Sequence, residues 1–323
     1  MIKTSRSLSI GDMLGTGVAM LRRYPRLWLS LYLVEFVVAA IVAWVVARIL
    51  VDQFGTLPIF DRAVQGDLIA LLNVLGEGRS SFAAVLLLVM GALGGYVVLS
   101  WYLIGGANAV LIQRPEARRE VVECFGTGGA ATFYSYFRLA LWTVIPHGIC
   151  FAALSVGLSL GADSLKYAIT GGDVVRAVIF PLIPVAALYW LNATAIDYAR
   201  IELSRRAGPA GRPDRASEAE FDDSTAAERP AIRSAKPLSA IGALVRGYRT
   251  VVTNPRPLVH VLLYGLFFAS VSVVYVALTH GRPMSGATGA IAIFAIRQVV
   301  LFTRYTGKIV CAGGQVAFSQ GRS

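Results

Sequence analysis

The chain has 323 residues, of which 56% are hydrophobic and 15% charged, and its mean hydropathy is +0.63. These values lie far from soluble averages and predict an integral membrane protein. The formal net charge of +11 then speaks to orientation and to anionic lipid, and no nucleic-acid partner is expected.

Six apolar runs, roughly 27–51, 82–112, 139–160, 175–203, 258–279 and 287–307, are each long enough for a hydrocarbon core that takes about 20 helical residues. They are continuous rather than alternating, which predicts helices and excludes a porin-like barrel. The start, MIKTSRSLSIGDMLGTG, places charges and glycines where a signal peptide carries a short apolar core, so an uncleaved chain is expected.

Before the first run, Ile10, Met13, Leu14, Val18 and Leu21 recur at helical spacing with Asp12, Thr16 and Arg23 opposite. This is the pattern of an amphipathic helix lying in the headgroup plane. Pro25-Arg26 follows as a corner, because proline suits the first turn of the next helix and arginine anchors at the interface.

The first run carries one acid, Glu35, at membrane depth. In the second, Gly91 and Gly95 stand four apart, a small-residue pattern used by packed membrane helices. That run continues through Gly105 and Gly106 into YLIGGANAVLIQR.

Ahead of the third run, FGTGGAATFYSYFRLALW echoes LGTGVAMLRRYPRLWL, with Gly126 and Gly128 matching Gly15 and Gly17, and Arg138 matching Arg26 after a one-residue slip. A second surface helix is therefore expected before a span starting near 139, with His147 at the depth of Glu35, about 13–15 Å from the corner by helical rise. Residues 204–235, rich in Ala, Pro, Gly, Ser and mixed charge, read as a disordered cytoplasmic linker.

The third copy stands before the fifth run, where GYRTVVTNPRPL repeats GVAMLRRYPRLW and Gly247 matches Gly17. Its stripe is Leu238, Ile241, Leu244, Val245, Tyr248, Val251 and Val252, with Arg246 and Arg249 off the stripe and expected to face lipid. In the sixth run Arg297, Arg304 and Lys308 are separated by seven and eleven residues, which puts a basic stripe on one helical face.

Lys and Arg collect at the N-terminus, after the second run and after the fourth. The other connections are acidic or nearly empty, so both termini are expected in the cytoplasm. The predicted fold is an all-α polytopic membrane bundle of six transmembrane helices in three pseudo-repeats, each an amphipathic surface helix plus a helical hairpin. It forms a single domain over 1–323, with repeats at about 8–113, 119–203 and 236–318.

This organisation, with its Gly-x-x-x-x-x-x-x-Pro-Arg corners, resembles the bacterial six-span membrane proteins of uncharacterised function related to the membrane domain attached to some glycerophosphodiester phosphodiesterases. The resemblance covers the whole chain. It implies no catalytic residue, because the phosphodiesterase chemistry there belongs to a separate soluble domain.

Few motifs carry chemistry. GLSLG, 157–161, matches the nucleophile-elbow spacing around Ser159, but such a serine needs a strand-to-helix turn and a histidine, so a membrane-embedded hydrolase with His280 and Asp163 is only a remote reading. GTGGAA and GTGVAM lack the preceding strand of a phosphate loop. His147, His260 and His280 have no ligand spacing, so no metal and no cofactor are expected. Cys124, Cys150 and Cys311 read as small apolar fillers rather than a disulfide framework.

The polar cluster Glu35, His147 and Arg297 remains. Charges at bilayer depth normally face the bundle and find partners, so Glu35 with Arg297 reads as an ion pair fixing helix order, as a ligand or proton site, or as snorkelling groups. The expected function is non-enzymatic: a scaffold or accessory subunit of a bacterial inner-membrane assembly, with a basic cytoplasmic face toward anionic lipid, membrane-protein partners or a second copy. The alternative is a carrier or channel for a small solute or lipid through Glu35, His147 and Arg297.

Overall fold

The computed structural model describes residues 8–54, 69, 73, 79–167, 170–207, 239–279 and 287–321. Among these the chain is entirely helical: α1 Ile10–Arg23, α2 Pro25–Phe54, α3 Arg79–Gln113, α4 Arg118–Leu165, α5 Gly171–Arg206, α6 Ala240–Thr253, α7 Pro255–Thr279 and α8 Ala287–Gln320. Among the described residues, five stretches are long and apolar enough to cross a membrane: Pro25–Ile49, Ala83–Gln113, Arg118–Leu165, Ile179–Arg206 and Pro255–Ala277. The linker expected over 204–235 lies outside the described residues from 208 onward, and Ser204–Arg206 form the last turn of α5.

The helix starts are chemically specified. Ser9 and Asp12 make a reciprocal cap on α1, with Asp12 N donating to Ser9 Oγ (3.1 Å) and Ser9 N to Asp12 Oδ2 (3.0 Å). Thr170 and Asp173 do the same for α5, and Ser239 Oγ accepts from Gly242 N on α6. Each such cap satisfies backbone donors that the first helical turn leaves open. Pro25 and Pro255 are the first residues of α2 and α7, where the missing N–H costs nothing. Between α6 and α7, Asn254 is extended (φ −140°, ψ 117°) and forms the corner.

The second repeat departs from expectation. No corner forms near 138; α4 runs unbroken for 48 residues, about 72 Å by helical rise. The reason is the missing proline: Arg138 follows Phe137, and nothing there interrupts the hydrogen-bond ladder. Pro146 lies within the helix, as do Pro181 and Pro184 in α5.

The chain divides into two compact units, Tyr24–Leu103 and Met1–Arg23 with Ile104–Ser323. The first holds α2 and the leading part of α3. In the second, α4 packs on α5, α1 on α8, α6 on α5, and α7 on α8. Glycines set the α4–α5 approach: a methyl group on Gly157 would lie 3.0 Å from the Pro181 carbonyl oxygen, and one on Gly161 2.8 Å from that of Ala177. The small-residue contact is thus made by Gly157 and Gly161. At Gly91 and Gly95 nothing described lies within 4 Å of an added Cβ.

Beside an apolar core that includes Met13, Leu111 and Leu139, the long helices expose large apolar side chains and bury several polar ones. Trp44, Leu87 and Phe180 are about two-thirds or more exposed, whereas Asn108, Thr132, Asn192, Thr194, Ser204, His260 and Gln315 are buried. Lipid solvates exposed apolar side chains, whereas polar groups at membrane depth normally face the protein interior.

Candidate functional site

The buried polar residues belong to a layer built by three parallel helix-docking contacts, all in the unit that holds α4–α8. In α1, a methyl on Gly17 would fall onto the carbonyl of Val310 in α8. In α6, one on Gly247 would fall onto the carbonyl of Ala195 in α5. In α4, one on Gly128 would fall onto Ala109 at the end of α3. Gly17 and Gly247 let their helices lie directly on a neighbour's backbone, and Gly128 lets α4 lie on the Ala109 methyl. α4 therefore rests on α3, α6 on α5, and α1 closes the cycle on α8.

Two asparagines tie this layer together. Asn108 Nδ2 donates to Tyr136 Oη (2.9 Å), which meets Ser204 Oγ (2.7 Å) and donates to the Arg200 carbonyl (3.1 Å). Tyr136 is 1% exposed, so α3, α4 and α5 are joined by one water-excluded network, where an unpaired group is costly. Asn192 Nδ2 donates to the Pro146 carbonyl (3.1 Å) and to Cys150 Sγ (2.9 Å), while its Oδ1 accepts from Tyr248 Oη (2.5 Å). Burial, followed by the neighbouring Cys150, pushes the Tyr248 phenol above its usual range, so the phenol stays a donor.

Arginine contacts link the C-terminal ends of the long helices. Arg205 Nη1 donates to the Ser319 carbonyl (3.2 Å), Arg114 Nη2 to Gln320 Oε1 (3.0 Å), and Gln320 Nε2 to the Ile112 carbonyl (3.1 Å). Cations at helix C-termini meet both orphan carbonyls and the negative end of the macrodipole. Glu202, about three-quarters buried, collects Arg206 at 3.2 Å, Arg205 at 3.5 Å and Arg246 at 3.1 Å.

Of the residues singled out from sequence, Glu35 takes a hydrogen bond with Tyr96 in the hairpin of α2 and α3. Arg297 Nε donates to Tyr275 Oη (2.7 Å). His147 Nδ1 faces the Thr143 carbonyl of its own helix (2.6 Å). Arg304, Lys308 and Arg249 are exposed, and Arg246 stays half exposed beside Glu202. On α6 the docked face is Ala240, Ala243, Gly247 and Val251, while Ile241, Val245 and Val252 of the expected stripe point outward.

Ser159 sits inside α4 and donates to the Ser155 carbonyl (3.0 Å), and Asp163 pairs with Lys166 (2.8 Å). His280 lies outside the described residues. The glycines of GLSLG serve the α4–α5 contact. All three cysteines are buried, and burial, then the charge of Asp197, pushes the Cys311 thiol up to about 12. Among the described residues no group of three His, Cys, Asp or Glu side chains is placed to hold a metal.

Sequence reasoning missed Asn108, Tyr136 and Asn192; His260, set aside there for want of ligand spacing, is fully buried with Nε2 3.3 Å from the Cys311 carbonyl. The available signal was polarity at the small-residue ends of the even helices, in GGANAV and WLNATA. No family model, no curated protein and no solved structure matches the chain.

Proposed function

We propose that the chain is a non-enzymatic, six-span protein of the bacterial inner membrane, built of three repeats with both termini cytoplasmic, and that it serves as scaffold or accessory subunit of a membrane assembly. The cycle of docked helices carries this reading. It fills the layer between the long helices with backbone contact and hydrogen-bonded asparagines, which suits a rigid platform better than an alternating pathway. The basic groups around that layer suit anionic lipid and acidic surfaces of a membrane-protein partner or a second copy. The sixth span is assigned to the first part of α8, and the resemblance to phosphodiesterase-associated membrane domains is of the same non-catalytic kind.

Affinity purification of the full-length protein from native membranes in mild detergent tests the reading. A membrane-protein partner or a homo-oligomer in fixed ratio is expected. A monodisperse single chain that drives solute uptake in proteoliposomes would overturn it in favour of a carrier.

A further inference from the structure

The face that α8 shares with α7 pairs cations with aromatic rings. Arg297, Arg304 and Lys308, separated by seven and eleven residues, fall within about 20° of one meridian of a 3.6-residue helix and span about 16 Å along it. All three are exposed. Opposite them α7 sets Tyr264, Phe268 and Tyr275, spaced so that they share one face. Tyr275 Oη accepts from Arg297 Nε (2.7 Å), the Arg304 guanidinium stands 4.8 Å over the Phe268 ring, and Tyr264 Oη donates to the Arg304 carbonyl (2.9 Å). Gly307 makes room for this, since a Cβ there would lie 2.6 Å from the Tyr264 ring.

Among the described residues none of the three cations is paired with a carboxylate. Phe268 packs against the Arg304 guanidinium, whose N–H donors have no acceptor among the described residues, the arrangement that receives a phosphate oxygen. Leu301, about 40° from the stripe on the same helix, is exposed, so the cations border on a surface that acyl chains wet. A cation at bilayer depth needs a counter-charge, and in such a surface the available one is a lipid phosphate.

We infer that the α7–α8 face, through Arg297, Arg304 and Lys308, binds the phosphodiester of an anionic phospholipid. A net negative headgroup fits better than a zwitterionic one, because among the described residues the three cations have no carboxylate partner and the stripe carries net positive charge. The inference rests on the lipid-partner part of the proposed function and gives it a place.

The test uses full-length protein in nanodiscs with spin-labelled phosphatidylglycerol or phosphatidylcholine, reading the motionally restricted fraction by electron paramagnetic resonance. Wild type should retain phosphatidylglycerol several-fold better. The triple variant Arg297→Gln, Arg304→Gln, Lys308→Gln should lose the preference, with up to about a fivefold loss for each cation removed. The charge-retaining triple variant Arg297→Lys, Arg304→Lys, Lys308→Arg should keep it, which separates loss of charge from loss of fold.

An unchanged preference in the glutamine variant, or none in wild type, overturns the inference. So does abolition of the preference by inorganic phosphate at constant ionic strength, which would identify free phosphate as the ligand. Partner recovery from native membranes is scored on the same glutamine variant. If the partner stays while lipid preference is unaltered, the lipid site fails and the scaffold reading stands.

Discussion

Gly17 and Gly247 hold the same place in two different helices: each stands eight residues before a proline, Pro25 or Pro255, that begins the next helix. Each also rests on a neighbour's backbone carbonyl, Val310 for Gly17 and Ala195 for Gly247. Gly17→Ala and Gly247→Ala are therefore expected to lower the melting temperature of the detergent-solubilised protein. Overpacking costs about 1–3 kcal/mol and exceeds the gain of up to about 1 kcal/mol from replacing a helical glycine. Gly15→Ala, with nothing described within 4 Å of its added methyl, should be neutral or stabilising. Equal effects at all three positions would show that the docking contact is absent.

Tyr136→Phe should destabilise by more than the loss of one hydrogen bond. It leaves Asn108 Nδ2, Ser204 Oγ and the Arg200 carbonyl short of a partner in a water-excluded layer, at about 1–3 kcal/mol for a stranded group. Adding Ser204→Ala should cost less than it does alone. Additive melting shifts would mean that the hydroxyls act separately.

Glu35 and Tyr96 form a polar pair within their hairpin. Glu35→Ala and Tyr96→Phe should be coupled by about 0.5–3 kcal/mol in a double-mutant cycle. Zero coupling would place the carboxylate against some other group.

The Cys311 thiol, pushed up to about 12 from its ordinary 9.0 chiefly by burial, is protonated throughout neutral pH. The folded state then binds the proton more tightly than the unfolded one. This contribution to stability is complete below pH 9 and is lost as pH rises from there toward 12. Maleimide should label Cys311 at pH 8 only after denaturation, as read by peptide mass spectrometry. Rapid labelling of the folded protein would contradict its burial.

Orientation is testable by single-cysteine variants. A probe at Gly66→Cys should react from outside intact cells, and one at Ser217→Cys only after the membrane is opened. The reverse pattern would invalidate the charge-based topology.

Composition and continuous apolar runs determined that this chain is helical and suited to a membrane, because the bilayer demands helices of a certain length and closes off other backbones. The breaks before Pro25 and Pro255 were equally legible, since the missing proline N–H acts within a few residues of the chain. The second corner was not legible: the echo around Gly128 suggested it, and only the continuous course of α4 showed that the helix runs on through Arg138, where no proline stands. The tyrosines that meet Glu35 and Arg297, Tyr96 and Tyr275, were also out of reach, because each lies on another helix, far off in the chain. Above all, sequence marked Gly17, Gly128 and Gly247 as a repeat without saying what they touch. Tertiary structure decided that, because close approach of two backbones is a property of the pair of helices, and the second helix of each pair lies elsewhere in the chain.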